Sequence, residues 1–427
     1  MLAAFGLAVF CPLVYDDVSQ VAEREPLLRY LTRPVEFSDF TGRAGAADGS
    51  FYRPLFWLSL FPAIPAILHL QNLALHTLNA ILLWRWLSRW NAAHVAFCAA
   101  ALWAVFPIHA ETAVWISGRA IPLAVAFLLG SLLVRSRALS LVLAILGGLS
   151  HEIAVIYPFL RPGWPAWIAP AAVAAARFLA GAALPSAPPL LTQPVYAAGF
   201  YLCPLVYRGI ELSTASPMPL LSLLPLLGLL HGPSRRPLLI YLVGLLPFLG
   251  FLPVYQVYAE RYAYLASGGL ALLAARWLAA RPAVFRWIVA PCIATSLWTT
   301  TRFFSEFDLY RYSLRFAPSS VVLNYNLGVL TNNPDYYRKA LQLRPDYAPA
   351  RMNLALLEGD LGALERETLL QPASPQAWLN FGNALQRGGR LDEARRAYGR
   401  ALALKPGYAE AHLNYGALEL KAGDYGA

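Results

Sequence analysis

The stretch Leu68–Trp84, LHLQNLALHTLNAILLW, runs into a basic turn, RWLSR at 85–89, and then into a second apolar run, AAHVAFCAAALWAVFP, over 92–107. Each run is close to the length that carries a helix across a ~30 Å hydrocarbon core, which takes roughly 17–25 residues. The same alternation recurs on both sides. It predicts an all-α polytopic membrane protein with about eleven spans, near 1–14, 68–84, 92–107, 119–134, 138–150, 153–163, 164–184, 217–231, 237–254, 263–280 and 284–301. A soluble core helix explains one such run but not a series broken by hydrophilic turns. Composition agrees: 58% of the 427 residues are hydrophobic and 14% charged, against about 25% charged in a soluble domain.

Charge is distributed unevenly. Residues 1–53 carry 5 basic and 7 acidic groups, 54–301 carry 14 and 4, and 302–427 carry 15 and 13. The net +10 therefore sits in the most apolar block, which makes it a topology signal rather than a nucleic-acid surface. Alternate turns hold Arg85 and Arg89, Arg135 and Arg137, Arg161, Arg235 and Arg236, then Arg276, Arg281 and Arg286, with no acid among them. These turns are expected on the cytoplasmic side. The opposite turns hold Glu111, Glu152, Glu211 and Glu260, and the 39-residue loop from Tyr15 to Arg53 falls with them. An odd number of spans places the chain after Arg302 on that outer side too. Arg177 fits less well, inside a nominal span, and Pro185 to Tyr207 reads as an outer, partly interfacial segment.

After Arg302 the texture is that of a soluble helical protein with internal repeats. Trp378, Phe381, Gly382 and Gly389 recur 34 residues later as His412, Tyr415, Gly416 and Gly423. With Ala394, Tyr398, Ala401 and Pro406, the first of these copies resembles a tetratricopeptide (TPR) repeat. Asn326-Leu327-Gly328 and Asn353-Leu354-Ala355 begin two further copies spaced by 27, each short by about two helical turns. The expected division is 1–301, a membrane body, and 302–427, an outer α-solenoid of about four repeats, the first two shortened and the last incomplete.

Ionisable groups at membrane depth are costly and usually functional. Asp16 and Asp17 follow the first span; His109 and Glu111 share an outer turn ahead of Arg119; Arg53 closes the first outer loop; His151 and Glu152 are adjacent; Glu260 and Arg261 stand among tyrosines. Acids, histidines and arginines on one face suit an anionic substrate and proton transfer. No Walker loop, G-x-G-x-x-G, G-x-S-x-G or H-E-x-x-H motif is present, which argues against nucleotide hydrolysis, dinucleotide chemistry, serine hydrolysis and zinc proteolysis. Cys11, Cys98, Cys203 and Cys292 lack C-x-x-C spacing and support neither zinc nor a disulfide framework.

In order along the chain stand Val14-Tyr15-Asp16-Asp17, Tyr52-Arg53-Pro54-Leu55, His69-Leu70-Gln71-Asn72 through His76-Thr77-Leu78-Asn79, Phe106-Pro107-Ile108-His109-Ala110-Glu111, Gly118-Arg119-Ala120 and Ala259-Glu260-Arg261-Tyr262. This series, ending in repeats, resembles the transmembrane and TPR O-mannosyltransferases of the GT-C superfamily. The resemblance implies a membrane glycosyltransferase that moves a mannose-like sugar from a polyprenyl-phosphate donor to an acceptor hydroxyl, a protein Ser or Thr foremost, on the extracytoplasmic face and with inversion. Asp16 would be the general base beside Asp17, and Arg119 and Arg261 would meet the departing phosphate. Glu111 and His109 would orient hydroxyls, with Arg53 and Glu260 completing the donor site. Neither cofactor nor metal is expected. The partners expected are the lipid bilayer, the lipid-linked sugar and an acceptor held by the repeats. The alternatives are a non-catalytic scaffold for envelope or secretory assembly and another lipid-linked glycan ligase or polymerase. Lysine occurs only at Lys339, Lys405 and Lys421, which hints at a GC-rich genome and a bacterial inner membrane; a eukaryotic version would lie in the endoplasmic reticulum membrane. Tyr15 and His151 depart from the Trp and Lys that the family commonly has there.

Overall fold

The computed structural model describes residues 2–11, 35–36, 50–51, 53–60, 64–179, 232–248 and 260–422. Among them the chain is all-α apart from two-residue strands at Val35–Glu36 and Ser50–Phe51, paired antiparallel. The helices before the repeats are α1 Leu2–Phe5, α2 Pro54–Ser59, α3 Pro65–Leu87, α4 Ala93–Trp103, α5 Ala110–Val114, α6 Ala120–Leu133, α7 Arg137–Ser150, α8 Tyr157–Leu160, α9 Ile168–Leu179, α10 Gly232–Leu245, α11 Ala263–Leu278, α12 Pro282–Thr300 and α13 Glu306–Ser313. The chain forms two compact units, and the division falls between Pro318 and Ser319. The segment from 302 to 318 thus belongs with the first.

The eleven-span reading, and with it the GT-C-type body, is corrected. Among the described residues one helix, α3, is long and apolar enough to cross a membrane; a second exists only if α4 and Pro107–Val114 are counted together across a 58° bend. An apolar run states composition, whereas crossing ~30 Å takes about 20 residues of continuous helix. Helices α6 and α7 have 14 residues each, roughly 21 Å at 1.5 Å per residue. The run at 153–163 divides into a 3₁₀ turn, Glu152–Ile156, and the four residues of α8. The run at 217–231 lies outside the described residues.

Helix α3 is built inside out. His69, Asn72, His76 and Asn79, stepped by three, four and three, share one helical face and are buried, while Leu70, Leu78 and Ile81 are exposed. Each buried polar group is tied across the unit. Asn72 Nδ2 donates to the Trp115 carbonyl and Asn79 Nδ2 to the Pro122 carbonyl. Because a carbonyl only accepts, His76 donates from Nε2 to Ala104, and the Tyr264 hydroxyl, 2.7 Å away, donates to His76 Nδ1. Helices α10 and α11 cross closely because Gly269 has no side chain: a Cβ there would run into the Pro237 carbonyl.

Several turn arginines secure helix ends. Arg89 donates to the carbonyls of Leu132 and Leu133, and Arg161 to those of Ser131 and Val134, so both satisfy the otherwise unpaired C-terminal carbonyls of α6. Residues read as topology markers therefore also do local structural work.

The second unit comprises α14 Val321–Thr331, α15 Pro334–Leu343, α16 Ala348–Glu358, α17 Leu361–Leu370, α18 Pro375–Arg387, α19 Leu391–Leu404 and α20 Ala409–Ala422. They form three hairpins and a seventh helix. The first hairpin has helices of 11 and 10 residues and the third 13 and 14, and the turn of the first is one residue shorter than that of the third. Those differences account for the seven residues separating the 27- and 34-residue spacings. The core contact survives shortening: a Cβ at Gly328 would lie 2.6 Å from the Tyr337 ring, and one at Gly382 would lie 2.6 Å from the Tyr398 ring. A second contact also repeats. Arg351 donates to the Pro345 carbonyl, Trp378 to that of Pro372 and His412 to that of Pro406, each six residues back, at 2.8–3.0 Å. Pro318 stands 27 residues before Pro345, at the start of the array.

Candidate functional site

Two short turns and a helix end bring the site together. The break after α4 at Phe106-Pro107 starts a 3₁₀ turn that leads into α5, which points Glu111 inward and fully buried. Gly118 allows the chain to fold back there, since a Cβ would sit 2.5 Å from the Glu111 carbonyl oxygen. From the turn Glu260–Tyr262, Arg261 ion-pairs with Glu111 Oε1 and donates its backbone N–H to Oε2 at 3.2 Å. The Arg261 guanidinium carbon lies 5.4 Å from the Trp115 ring centroid and 5.3 Å from that of Tyr262. Glu111 and Arg261 lie 150 apart in sequence, so their meeting is a tertiary event.

Beside this pair is a second cluster: its members Arg53, His151 and Glu152 stood among the candidates in sequence, but Arg177 and the pairing did not. Helix α7 ends at Ser150, His151 is extended, and its Nδ1 accepts the Ile153 N–H at 3.1 Å, which starts the next turn with Glu152. Glu152 accepts from Arg53 on both oxygens, Nη2 to Oε2 at 2.7 Å and Nε to Oε1 at 3.4 Å, and from Arg177 Nη2 on Oε1 at 2.6 Å. Arg177, anomalous as a residue inside a span, is explained by this pair. The signal was present in sequence as an arginine in the last turn of an apolar helix, but its partner lies 25 residues upstream. Burial alone would raise the Glu152 carboxyl, yet Arg177 and Arg53 outweigh it and hold the group well below the usual carboxylate range. Burial, and then Arg53, push the His151 imidazole well below its ordinary value, which leaves it neutral at pH 7. Burial pushes the Tyr262 phenol up, and the fields of Arg261, Arg53, Glu111 and Glu152 all reach it, so the two clusters share one neighbourhood.

The other expected residues are placed differently. Arg119 is buried and committed within the protein: Nε donates to Asn72 Oδ1 at 2.7 Å, and its other nitrogens to Gln71, the Ser59 carbonyl and the Leu68 carbonyl. It clamps the start of α3. His109 turns away from Glu111 into an aromatic box of His76, Trp103 and Tyr264. There the Ser267 hydroxyl donates to the Tyr264 carbonyl, so His109 donates from Nε2 to Ser267 at 2.9 Å. Asp16, Asp17 and the Glu260 side chain lie outside the described residues. No group of three or more metal-ligating side chains is found among the described residues.

Residues 382–423 match the family model of a TPR repeat, within the stretch where the 34-residue spacing places one. No glycosyltransferase family is detected in the chain. Among curated proteins none matches it.

Proposed function

We propose that the chain is a glycosyltransferase that moves a mannose-like sugar from a polyprenyl-phosphate donor to an acceptor hydroxyl, protein Ser or Thr foremost, at a membrane surface. The observation that carries this reading is the partly exposed guanidinium cluster. Arg53, Arg177 and Arg261 are 21%, 22% and 16% exposed, and among the described residues the first two pair with Glu152 and the third with Glu111. Such a cluster suits an anionic leaving group, because fixed guanidinium groups stabilise charge that develops on phosphate oxygens. The inside-out helix α3 supports lipid as the surrounding medium.

In this reading the acceptor hydroxyl attacks the anomeric carbon and gives its proton to Asp16. The bond from that carbon to the phosphate oxygen breaks, and the electron pair leaves with the lipid phosphate. Arg261, held by Glu111, faces the departing charge with Arg53. Arg119 acts as a positioning residue through Asn72. The repeats hold the acceptor. Purified full-length protein in detergent, given labelled polyprenyl-phosphate mannose and a Ser/Thr peptide, should label the peptide. Asp16→Asn should abolish labelling with folding intact, and unchanged turnover would sink the base assignment.

The TPR match favours a second reading, a non-catalytic membrane-anchored scaffold, since such repeats bind partners more often than they catalyse. That reading expects partner capture without label transfer.

A further inference from the structure

Arg177 is an incompletely used cation. Among the described residues its guanidinium makes one hydrogen bond, from Nη2 to Glu152 Oε1. Its Nε is shielded from solvent and has no acceptor there. A guanidinium has five N–H donors in a planar fork, and a buried donor left without an acceptor is costly. The side chain is nonetheless 22% exposed, as is Arg53 at 21%, so the cluster has a path to solvent. Arg53 grips both Glu152 oxygens, from Nε to Oε1 at 3.4 Å and from Nη2 to Oε2 at 2.7 Å, whereas Arg177 meets Oε1 through Nη2 alone, which fixes their orientation without closing the Arg177 fork. With His151 neutral, Arg53, Arg177 and Glu152 together carry one positive charge.

We infer that Arg177 and Arg53, oriented by Glu152, form a binding site for a phosphate group, with the open Arg177 fork supplying the acceptor-seeking N–H groups. Parallel N–H donors match paired phosphate oxygens, and a guanidinium is always charged. A phosphate monoester has three free oxygens, enough to reach both arginines while its ester points outward. As an account of where the donor's phosphate ends, the inference rests on the transferase reading; as an anion site it is read out without turnover.

The test is calorimetric titration of the full-length protein in detergent with inorganic phosphate, and separately with detergent micelles carrying polyprenyl phosphate or phosphatidylcholine. Wild type should bind phosphate in the free form, the polyprenyl form or both. Response to the polyprenyl form alone identifies a lipid headgroup as the source, and response to inorganic phosphate shows that the headgroup suffices. Arg177→Gln should weaken binding by roughly tenfold or more. Arg177→Lys keeps the charge and the Glu152 pair but loses the fork, and should fall between the two. Melting temperatures of both variants check that the fold persists. The inference is overturned if wild type binds neither phosphate form, or if Arg177→Lys, folded, binds as wild type does. Phosphate binding without label transfer would remove the transferase reading and leave this site standing.

Discussion

Replacing Gly382 by alanine should loosen the third repeat hairpin, although alanine is the better helix former. A β-carbon at Gly382 would lie 2.6 and 2.7 Å from two carbons of the Tyr398 ring, well inside the ~3.5–4 Å of a carbon contact. The ring has nowhere to go: Tyr398 is fully buried, and its hydroxyl lies 2.8 Å from Asn383 Oδ1 and 2.6 Å from Gln386 Oε1. Overpacking costs about 1–3 kcal/mol, and alanine returns about 1 through helix propensity, for a net loss of up to about 2 kcal/mol. Gly399, within α19, is the control, because a Cβ there meets nothing within 4 Å. Gly399→Ala should stabilise by about 0.5–1 kcal/mol. Two chemically identical changes in one hairpin should thus differ by the overpacking cost of about 1–3 kcal/mol, roughly 5- to 150-fold in the opening equilibrium. Amide hydrogen exchange of peptides spanning α18 and α19, measured in the full-length chain, reads that difference. If Gly382→Ala protects the hairpin as much as Gly399→Ala does, the Gly–Tyr packing argument is wrong. Shortening the ring position with Tyr398→Leu should remove much of the Gly382→Ala penalty, which tests the same contact from the other side.

Arg119→Met should lower the melting temperature sharply, by about 3 kcal/mol of stability, since it strands buried acceptors on Asn72 and Leu68; an unchanged melt would refute the clamp. His151 predicts a pH slope. Its folded-state pKa lies well below the unfolded ~6.5, so its contribution is present above that value and is lost as pH falls through it, at up to about 1.4 kcal/mol per unit. His151→Asn keeps an acceptor for the Ile153 N–H and should flatten stability between pH 6.5 and 5, whereas a slope equal to wild type would exclude the assignment. The Asp16→Asn transfer assay and the Arg177 titrations bear on the chemistry directly.

The repeats were legible because their period is a property of neighbours along the chain. Gly382, Tyr398 and their 34-residue echo, matched over 382–423, are local chemistry repeated. The span count was not legible, because hydropathy averages over a window and does not register where a helix stops. Phe106-Pro107 bends one run, and His151 ends another by accepting the Ile153 N–H. At the candidate site, Glu111 and Arg261 were placed on one side from the residue types, but their pairing was not read, since in sequence Glu111 goes with His109 and Arg261 with Glu260. Arg53 with Glu152 and Arg177 was not expected, since 99 residues separate the first two and no sequence period links them. Arg119 shows the opposite failure: a buried arginine reads as functional, but its donors are answered by carbonyls and amides whose positions only the fold supplies.

The bond from residues 351, 378 and 412 back to a proline carbonyl places an unusual load on the repeats. The acceptor is main chain and the donor is arginine, tryptophan or histidine, three side chains with little in common except a reachable N–H. What is inherited from copy to copy is therefore a reach rather than a residue. A position free to change its charge, its bulk and its aromaticity while still fastening the loop to the next helix lets the exterior of each hairpin diversify without loosening the hinge that joins it to the one before.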